Sequence, residues 1–267
     1  MDFMVDYFFD FDLMWDNRER ILDGFWTTVK LWFIASVLSL FWGLLLSVLR
    51  QLPGKAAAPL RFLTVAYIDV FRGVPLLLVL LFVSGFLSAA QAQDVIPREI
   101  GLPEWFGQTS PFWYGVIALT LTYGAYIAEV YRAGIEAVPH GQTEAARSLG
   151  MSHGQAMRFV ILPQAIRKVV PPLLNDLIAL MKDTSLVAFI GALEVVQVGF
   201  DIQTENFNGS GLVAGAILFL ILTIPLARLV DWLIARQQAR TTRGGGGVAD
   251  DQPVATPPAG TAAGGAA

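Results

Sequence analysis

The chain has no cysteine and few charged residues for its length. Among its 267 residues, the absence of cysteine excludes disulfide frameworks, thiolate nucleophiles and cysteine metal sites. The two histidines, His140 and His153, do not make the ligand cluster that a metal site needs. Charged residues make up 15% of the chain and hydrophobic residues 55%, against about 25% charged residues in soluble domains. This composition predicts a membrane protein and gives no reason to expect nucleic acid as a partner.

A phosphate-binding loop is also missing. The pattern G-x-x-x-x-G-K-[ST] does not occur, because the single Gly54-Lys55 pair is followed by alanine and lacks the upstream glycine. We therefore expect no cofactor, and no ATP by this route, on the chain itself. No catalytic triad or paired extracellular carboxylates stand out, so the sequence favours a transporter or assembly subunit over an enzyme.

The chain has long apolar stretches instead. A bilayer core needs about 20 mostly apolar residues per helix, and five stretches meet this need: residues 25–49, 60–90, 111–131, 163–192 and 211–235. The second and fourth are longer than one crossing requires, so we expect them to be tilted, broken or partly interfacial. The fourth contains Pro163, Pro171 and Pro172, which predict a broken helix unless they lie in the cytoplasmic interface.

Lysine and arginine are distributed unevenly between the two sides of these stretches. One side has Arg18, Arg20 and Arg98, with most of the acidic residues. The other side has Arg50, Lys55, Arg61, Arg132, Arg147, Arg158, Arg167, Lys168, Arg228, Arg236, Arg240 and Arg243. Because cytoplasmic loops carry the positive excess, the N-terminus is predicted outside and the C-terminus inside.

The predicted fold class is therefore an all-α membrane protein with five transmembrane helices. An acidic extracytoplasmic segment (1–23) precedes a transmembrane domain (24–236). The tail 237–267 is rich in glycine, alanine and proline, and we expect it to be disordered and cytoplasmic.

Residues 139–163 are too polar to cross the membrane and predict a short helix, a turn and a second helix. Pro139 and Gly141 are expected to end the preceding helix. The first helix is expected at 143–149, and Gly150 suits the left-handed position that follows a helix. Ser152 and Gln155 fit a capping box that starts the second helix.

One face of this hairpin could contact a partner. Glu144 is expected to face water, whereas Ala145, Ala146 and Leu149 offer a small surface that suits docking. The alternative is an ordinary surface hairpin without a partner.

The segment resembles the EAA loop of bacterial ABC importer permeases. Glu144-Ala145-Ala146, Gly150, Val160 and Leu162-Pro163 match that motif, with valine at 160 where the family usually has isoleucine. From about residue 22 to 232 the chain is similar to the importer permeases for histidine, glutamine, glutamate and arginine. The matching pieces are residues 71–76, with valine at 74 where threonine is common, and 125–132, 162–165, 171–172 and 182–186.

The resemblance implies a type I permease subunit in the bacterial inner membrane that imports a polar amino acid. A coupling helix at about 141–153 would seat in a cytoplasmic ABC ATPase dimer, which would bind ATP and Mg. The expected coupling residues are Gly141, Glu144, Ala145, Ala146, Leu149 and Gly150. An extracytoplasmic amino-acid-binding protein, and the same or a similar permease as dimer partner, are also implied.

Polar residues inside the apolar stretches are a second candidate site. A charge at the bilayer centre costs about 2.5 to 3.5 kcal/mol on insertion scales, so Glu129, Lys182 and Asp183 need partners. We predict that these three border a central cavity, to which Thr184 and Ser185 add hydroxyls. Such a cavity would suit the carboxylate and ammonium of a zwitterionic amino acid.

Three alternatives stay open from the residues alone. The intramembrane charges, which include Arg72 and Asp176, could hold helices together, cap a broken helix or brace a dimer. They could instead relay ions in a secondary transporter. Finally, the chain could be an assembly subunit that does not transport.

Overall fold

The computed structural model describes residues 2–97 and 110–244, and every regular element within these ranges is a helix. The elements are α1 (Asp2–Phe8), α2 (Phe11–Asp16), α3 (Arg18–Arg50), α4 (Ala58–Gly73), α5 (Leu76–Ala92), α6 (Ser110–Glu136), α7 (His140–Ser148), α8 (His153–Ala156), a π-helical turn (Met157–Ile161), α9 (Leu162–Asp183), a 3-10 helix (Thr184–Ile190), α10 (Val195–Asn206) and α11 (Ser210–Gly244). The predicted extracytoplasmic charges at 98, 99 and 104 lie outside the described residues.

Two described helices are each long and apolar enough to cross a membrane: α3, and α11 over residues 210–236. Two bent pairs also qualify if each is one crossing, namely α4 with α5 and the segment 153–190 with α10. α6 is long enough, but it is less apolar and does not qualify by composition. The described residues thus support two to four crossings on this basis, and five spans stay a prediction.

The second apolar stretch is broken, which was one of its expected forms. The chain direction bends by 112° between α4 and α5. Val74 between them has an extended backbone (φ −91°, ψ 132°), because the ring of Pro75 disfavours helical geometry in the residue before it. Proline at this position has no N–H to offer to a continuing helix, so the break follows from local sequence.

The prediction of a helix broken at the prolines of the fourth stretch is wrong. α9 is continuous from Leu162 to Asp183, with Pro171 and Pro172 inside it. Pro163 lies in the first turn of α9, where helices need no internal donor. The bend occurs after Ile190 instead, where Gly191 (φ +84°) begins the link to α10, and amounts to 47°.

α3 and α6 form the centre of the bundle, and glycines bring them together. A Cβ on Gly124 would lie 2.4 Å from Cδ1 of Trp42, and one on Gly43 would lie 2.7 Å from Cγ2 of Ile127. Small residues at such points let helix backbones approach closely within a membrane. The buried core around them includes Leu31 and Leu119, which are fully covered.

The ends of the chain differ in part from the predicted division into segments. The segment 1–23, for which no structure was predicted, contains α1, α2 and the start of α3. At the other end α11 continues to Gly244, so the stretch 237–244 of the predicted disordered tail is helical. The rest of that tail lies outside the described residues.

Candidate coupling surface and translocation pathway

The hairpin at 139–163 has the turn and caps that the sequence predicts. α7 begins at His140, earlier than expected, because Pro139 (φ −56°, ψ 133°) occupies its N-cap position. Gly150 has φ +81°, the left-handed conformation that a residue without Cβ adopts without strain. Ser152 Oγ accepts a hydrogen bond from Gln155 N at 3.3 Å, and Gln155 Oε1 accepts one from Ser152 N at 2.8 Å. The capping box is therefore confirmed.

α7 turns one face to its own chain and leaves the other open. Ala146 is only 3% exposed, so this member of the predicted docking surface is covered. The other predicted coupling residues are exposed: Gly141, Glu144, Ala145, Leu149 and Gly150. Leu149 is 80% exposed, and a Cβ on Gly141 would meet no atom within 4 Å. An exposed leucine beside small residues makes a surface that a partner can approach closely.

The inner face of the hairpin packs on α6 and α9. A buried cluster joins them, made of Val138, Ile161 and Ala165 with Ile135, Met157 and Val160 around it. The Lys168 ammonium donates a hydrogen bond to the carbonyl of Ala137. A Cβ on Gly134 of α6 would lie 2.0 Å from Cγ2 of Val169 in α9, so the two helices touch beside the hairpin. A displacement of the hairpin would therefore reach both helices.

The predicted pathway residues 182–185 point in different directions. Asp183 accepts a hydrogen bond from the Tyr123 hydroxyl at 2.7 Å, toward α6. Thr184 is fully buried, and its hydroxyl donates to a carbonyl in the preceding turn at 2.6 Å. Lys182 and Ser185 line a cavity of about 470 Å³ between α9, α10 and α11. The structure thus brings two of the four to one cavity.

Glu129 belongs to a separate group of charges. Its carboxylate lies 2.8 Å from Arg50 Nη1 in α3, and both of its oxygens lie 3.1 Å from Arg132 Nε in α6. Arg132 also pairs with a second glutamate one turn later. Along α6, Glu129 is about 9 Å from Tyr123 at 1.5 Å per residue. Its contacts are those of a residue that joins two helices.

Two charged residues outside the predicted pathway are further candidates: Arg72, directly before the break between α4 and α5, and Asp176 in α9. Arg72 is exposed in the last turn of α4, with its guanidinium 5.7 Å from the ring centroid of Tyr126. Asp176 in α9 has an enclosed Oδ2 without a hydrogen-bond partner among the described residues. A cation and an unsatisfied carboxylate suit the two ends of a zwitterion. Arg72 could have been identified from the sequence, because a charged residue just before the Val74–Pro75 break is a recognisable signal. No local pattern marks Asp176.

The chain matches a family of transport components. The family model described as "Binding-protein-dependent transport system inner membrane component" matches residues 43–242. The chain belongs to this family. The permease is therefore an inner-membrane component, and the hairpin and every predicted site residue lie within the matched range, whereas α1 and α2 do not.

Relatives of the permease have amino-acid transport names. The probable glutamine ABC transporter permease protein GlnM of Bacillus subtilis is 36% identical over 230 residues, which are 84% of this chain and 96% of that protein. The glutamate/aspartate import permease protein GltK of Escherichia coli O157:H7 is 31% identical over 236 residues, 86% of this chain and 99% of that protein. The predicted resemblance to polar amino-acid importer permeases is confirmed.

Solved structures agree with this assignment. One described as an amino acid ABC transporter with histidines has a TM-score of 0.70 and 32% identity, covering 84% of this chain and 96% of its own. The inward-facing MetNI methionine ABC transporter has a TM-score of 0.63 and 23% identity, covering 81% and 95%. Because the identity to the MetNI structure is only 23%, that likeness concerns the fold alone. The described helices therefore have the arrangement of type I ABC permeases.

Proposed function

We propose that this permease is the membrane-spanning subunit of an ATP-driven importer that moves a polar amino acid across the bacterial inner membrane. Relatives named for glutamine, arginine and glutamate transport support the substrate class. The observation that carries the proposal is the open face of α7, on a hairpin whose other face is packed on α6 and α9. An ion-coupled secondary transporter would not need such a face.

The working assembly contains two permease chains, identical or similar. Each has five spans with the N-terminus outside and the C-terminus in the cytoplasm. Two ATPase chains dock beneath the hairpins and bind ATP and Mg, and this chain binds no cofactor. An amino-acid-binding protein docks on the extracytoplasmic side.

Closure of the ATPases on ATP moves the two hairpins toward each other. Because the hairpin packs on α6 and α9 and these touch at Gly134 and Val169, the movement passes to both helices. The cavity lined by Lys182 and Ser185 then opens to the outside. ATP hydrolysis returns the permease to its starting conformation. A packed interface of this kind has discrete arrangements and does not deform continuously, which makes it suitable for transmission.

The substrate pathway is assigned to the space around residues 182–185. Lys182 and Ser185 line the cavity, and Asp183 and Thr184 hold the adjoining turn. Glu129 belongs to the proposed pathway through its effect on the cytoplasmic ends of α3 and α6. The test is uptake, and its range of amino acids, in Glu129→Ala, Asp183→Ala and Ser185→Ala with assembly checked by co-purification. Unchanged uptake and range in assembled complexes would remove the pathway assignment.

The coupling assignment is tested by two matched glycine variants. Gly141 in α7 and Gly154 in α8 are both exposed, and at both a Cβ would meet no atom within 4 Å. Gly141→Arg therefore adds bulk to the docking face without disturbing the chain itself, and Gly154→Arg adds the same bulk outside it. The measurement is binding-protein-stimulated ATP hydrolysis and amino-acid uptake in proteoliposomes.

We expect Gly141→Arg to lose both activities and Gly154→Arg to keep them. Equal activity of the two variants would mean that the α7 face is ordinary surface. If no ATPase co-purifies with the wild-type permease and uptake follows an ion gradient, the secondary-transporter alternative replaces the proposal.

A further inference from the structure

α1 and α2 lie outside the family match, yet they have a fixed place on the molecule. Gly209 N, in the turn before α11, donates to the carbonyl of Tyr7 at 2.8 Å. Asn208 Nδ2 donates to the carbonyl of Asp6 at 3.0 Å, and Gln203 Nε2 donates to the Tyr7 hydroxyl at 3.0 Å. These bonds hold α1 against α10 and the α10–α11 turn, and α2 follows α1 directly along the chain. The outer side of both helices is left uncovered.

The uncovered side of α2 is divided into an aromatic edge and an acidic edge. Phe11 and Trp15, one turn apart, are 70% and 68% exposed. Asp12 and Asp16, also one turn apart, are exposed on the neighbouring edge, since successive helical residues are rotated by about 100°. Leu13 turns the other way and packs on the buried cluster at the start of α10. An exposed aromatic edge beside a charged edge suits a helix that lies in the plane of a membrane surface.

The position of α2 along α3 places it at that surface. α2 is separated from α3 by Asn17 alone, and the first predicted span begins at residue 25. At 1.5 Å per residue, Arg18 lies about 10 Å from the hydrocarbon, so side chains directed toward the membrane reach the polar layer. The guanidinium of Arg18 lies 4.9 Å from the ring centroid of Trp15, and its Nη1 donates to the Trp15 carbonyl at 2.9 Å. Tryptophan is enriched at this depth, where its ring sits at the level of the headgroups.

The charge of the segment indicates which lipid it suits. Residues 1–17 contain five aspartates and neither lysine nor arginine. Helices that bind anionic lipid have lysine and arginine on their polar face, so this segment would be repelled by such a surface. A zwitterionic headgroup layer accommodates the aspartates at its outer edge and offers phosphate to Arg18.

We propose that α1 and α2 form an interfacial anchor on the extracytoplasmic leaflet that recognises zwitterionic lipid. Phe11 and Trp15 enter the headgroup layer, and Asp12 and Asp16 face water. The anchor holds the outer end of α3 and the α10–α11 turn at a constant depth. This inference rests on the outside orientation of the N-terminus in the proposed function.

The chain has no cysteine, which allows a direct measurement of depth. Single variants Phe11→Cys, Trp15→Cys, Asp12→Cys and Asp16→Cys are spin-labelled in the full permease complex in phosphatidylcholine vesicles. Accessibility to oxygen, which partitions into lipid, is compared with accessibility to a water-soluble nickel chelate. All four positions are exposed, so the labels do not disturb packing.

We expect labels at 11 and 15 to be more accessible to oxygen and labels at 12 and 16 to be more accessible to the chelate. The ratio of oxygen to chelate accessibility should differ several-fold between the two pairs. Adding phosphatidylglycerol should reduce that difference. Equal chelate access at all four positions would overturn the anchor, and equal shielding in anionic vesicles would overturn the lipid preference. Shielding of 11 and 15 only after the binding protein is added would make the surface a protein-docking site instead.

The orientation is measured separately. A membrane-impermeant thiol reagent is applied to sealed vesicles that contain Asp12→Cys. Reaction only from the cytoplasmic side would overturn the proposed topology, whereas the alternation between the 11/15 and 12/16 labels tests the interfacial position itself.

Discussion

Gly134 lies where α6 and α9 touch beside the coupling hairpin, and alanine at this position tests that contact. A Cβ would lie 2.0 Å from Cγ2 of Val169 and 3.3 Å from its Cβ. Val169 is 7% exposed and β-branched, so its side chain has no free rotamer to adopt at low cost. The helices must separate instead, and overpacking of this kind costs about 1 to 3 kcal/mol.

We expect Gly134→Ala to lower the melting temperature of the purified permease by about 2 to 4 °C per kcal/mol lost. It should also lower the amount of amino acid imported per ATP hydrolysed, because the hairpin no longer moves both helices together. The matched control is Gly85→Ala on α5, where a Cβ would meet no atom within 4 Å. Alanine there should stabilise its helix by up to about 1 kcal/mol.

A second substitution tests the cause. Val169→Ala removes the methyl that the new Cβ would strike, so the double variant with Gly134→Ala should be more stable than the sum of the single effects predicts. We expect a coupling free energy of about 1 to 3 kcal/mol between the two sites. If the single effects add, or if Gly134→Ala behaves like Gly85→Ala, the overpacking argument is wrong.

Three further substitutions probe other contacts. Glu129→Gln leaves two arginines without their shared carboxylate, and we expect the free energy of unfolding to fall by about 1 to 3 kcal/mol. A free energy of unfolding equal to that of the wild type, measured by denaturation, would contradict this. Thr28→Val removes a buried hydroxyl 3.2 Å from the carboxylate of Glu194, with an expected loss of about 1 to 3 kcal/mol. Its control, Thr27→Val, should melt as the wild type does, and equal melting of both variants would refute the role of the buried hydroxyl. Gly191→Ala forces a Cβ into the left-handed conformation (φ +84°) and should cost about 1 to 2 kcal/mol; an unchanged melting temperature would show that the turn relaxes.

The hairpin could be predicted in detail because its signals are local. The glycine at 150 and the Ser152–Gln155 capping box act within a few residues of themselves, so they do not depend on the rest of the fold. The break at Val74–Pro75 is local in the same way, since proline restricts its immediate neighbour. The family resemblance was likewise carried by spacings along the chain.

The sequence by itself determined the apolar stretches, the hairpin and the family, whereas the tertiary structure decided what each polar residue contacts. Ala146 is covered and Leu149 is open because of how α7 packs on its neighbours. Glu129 meets Arg50 across 79 positions, and the fourth stretch bends after Ile190 and not at its prolines. Contacts of this kind depend on which helices become neighbours and on the depth at which they cross. That choice minimises the energy of the whole bundle, and no short pattern of residues records it.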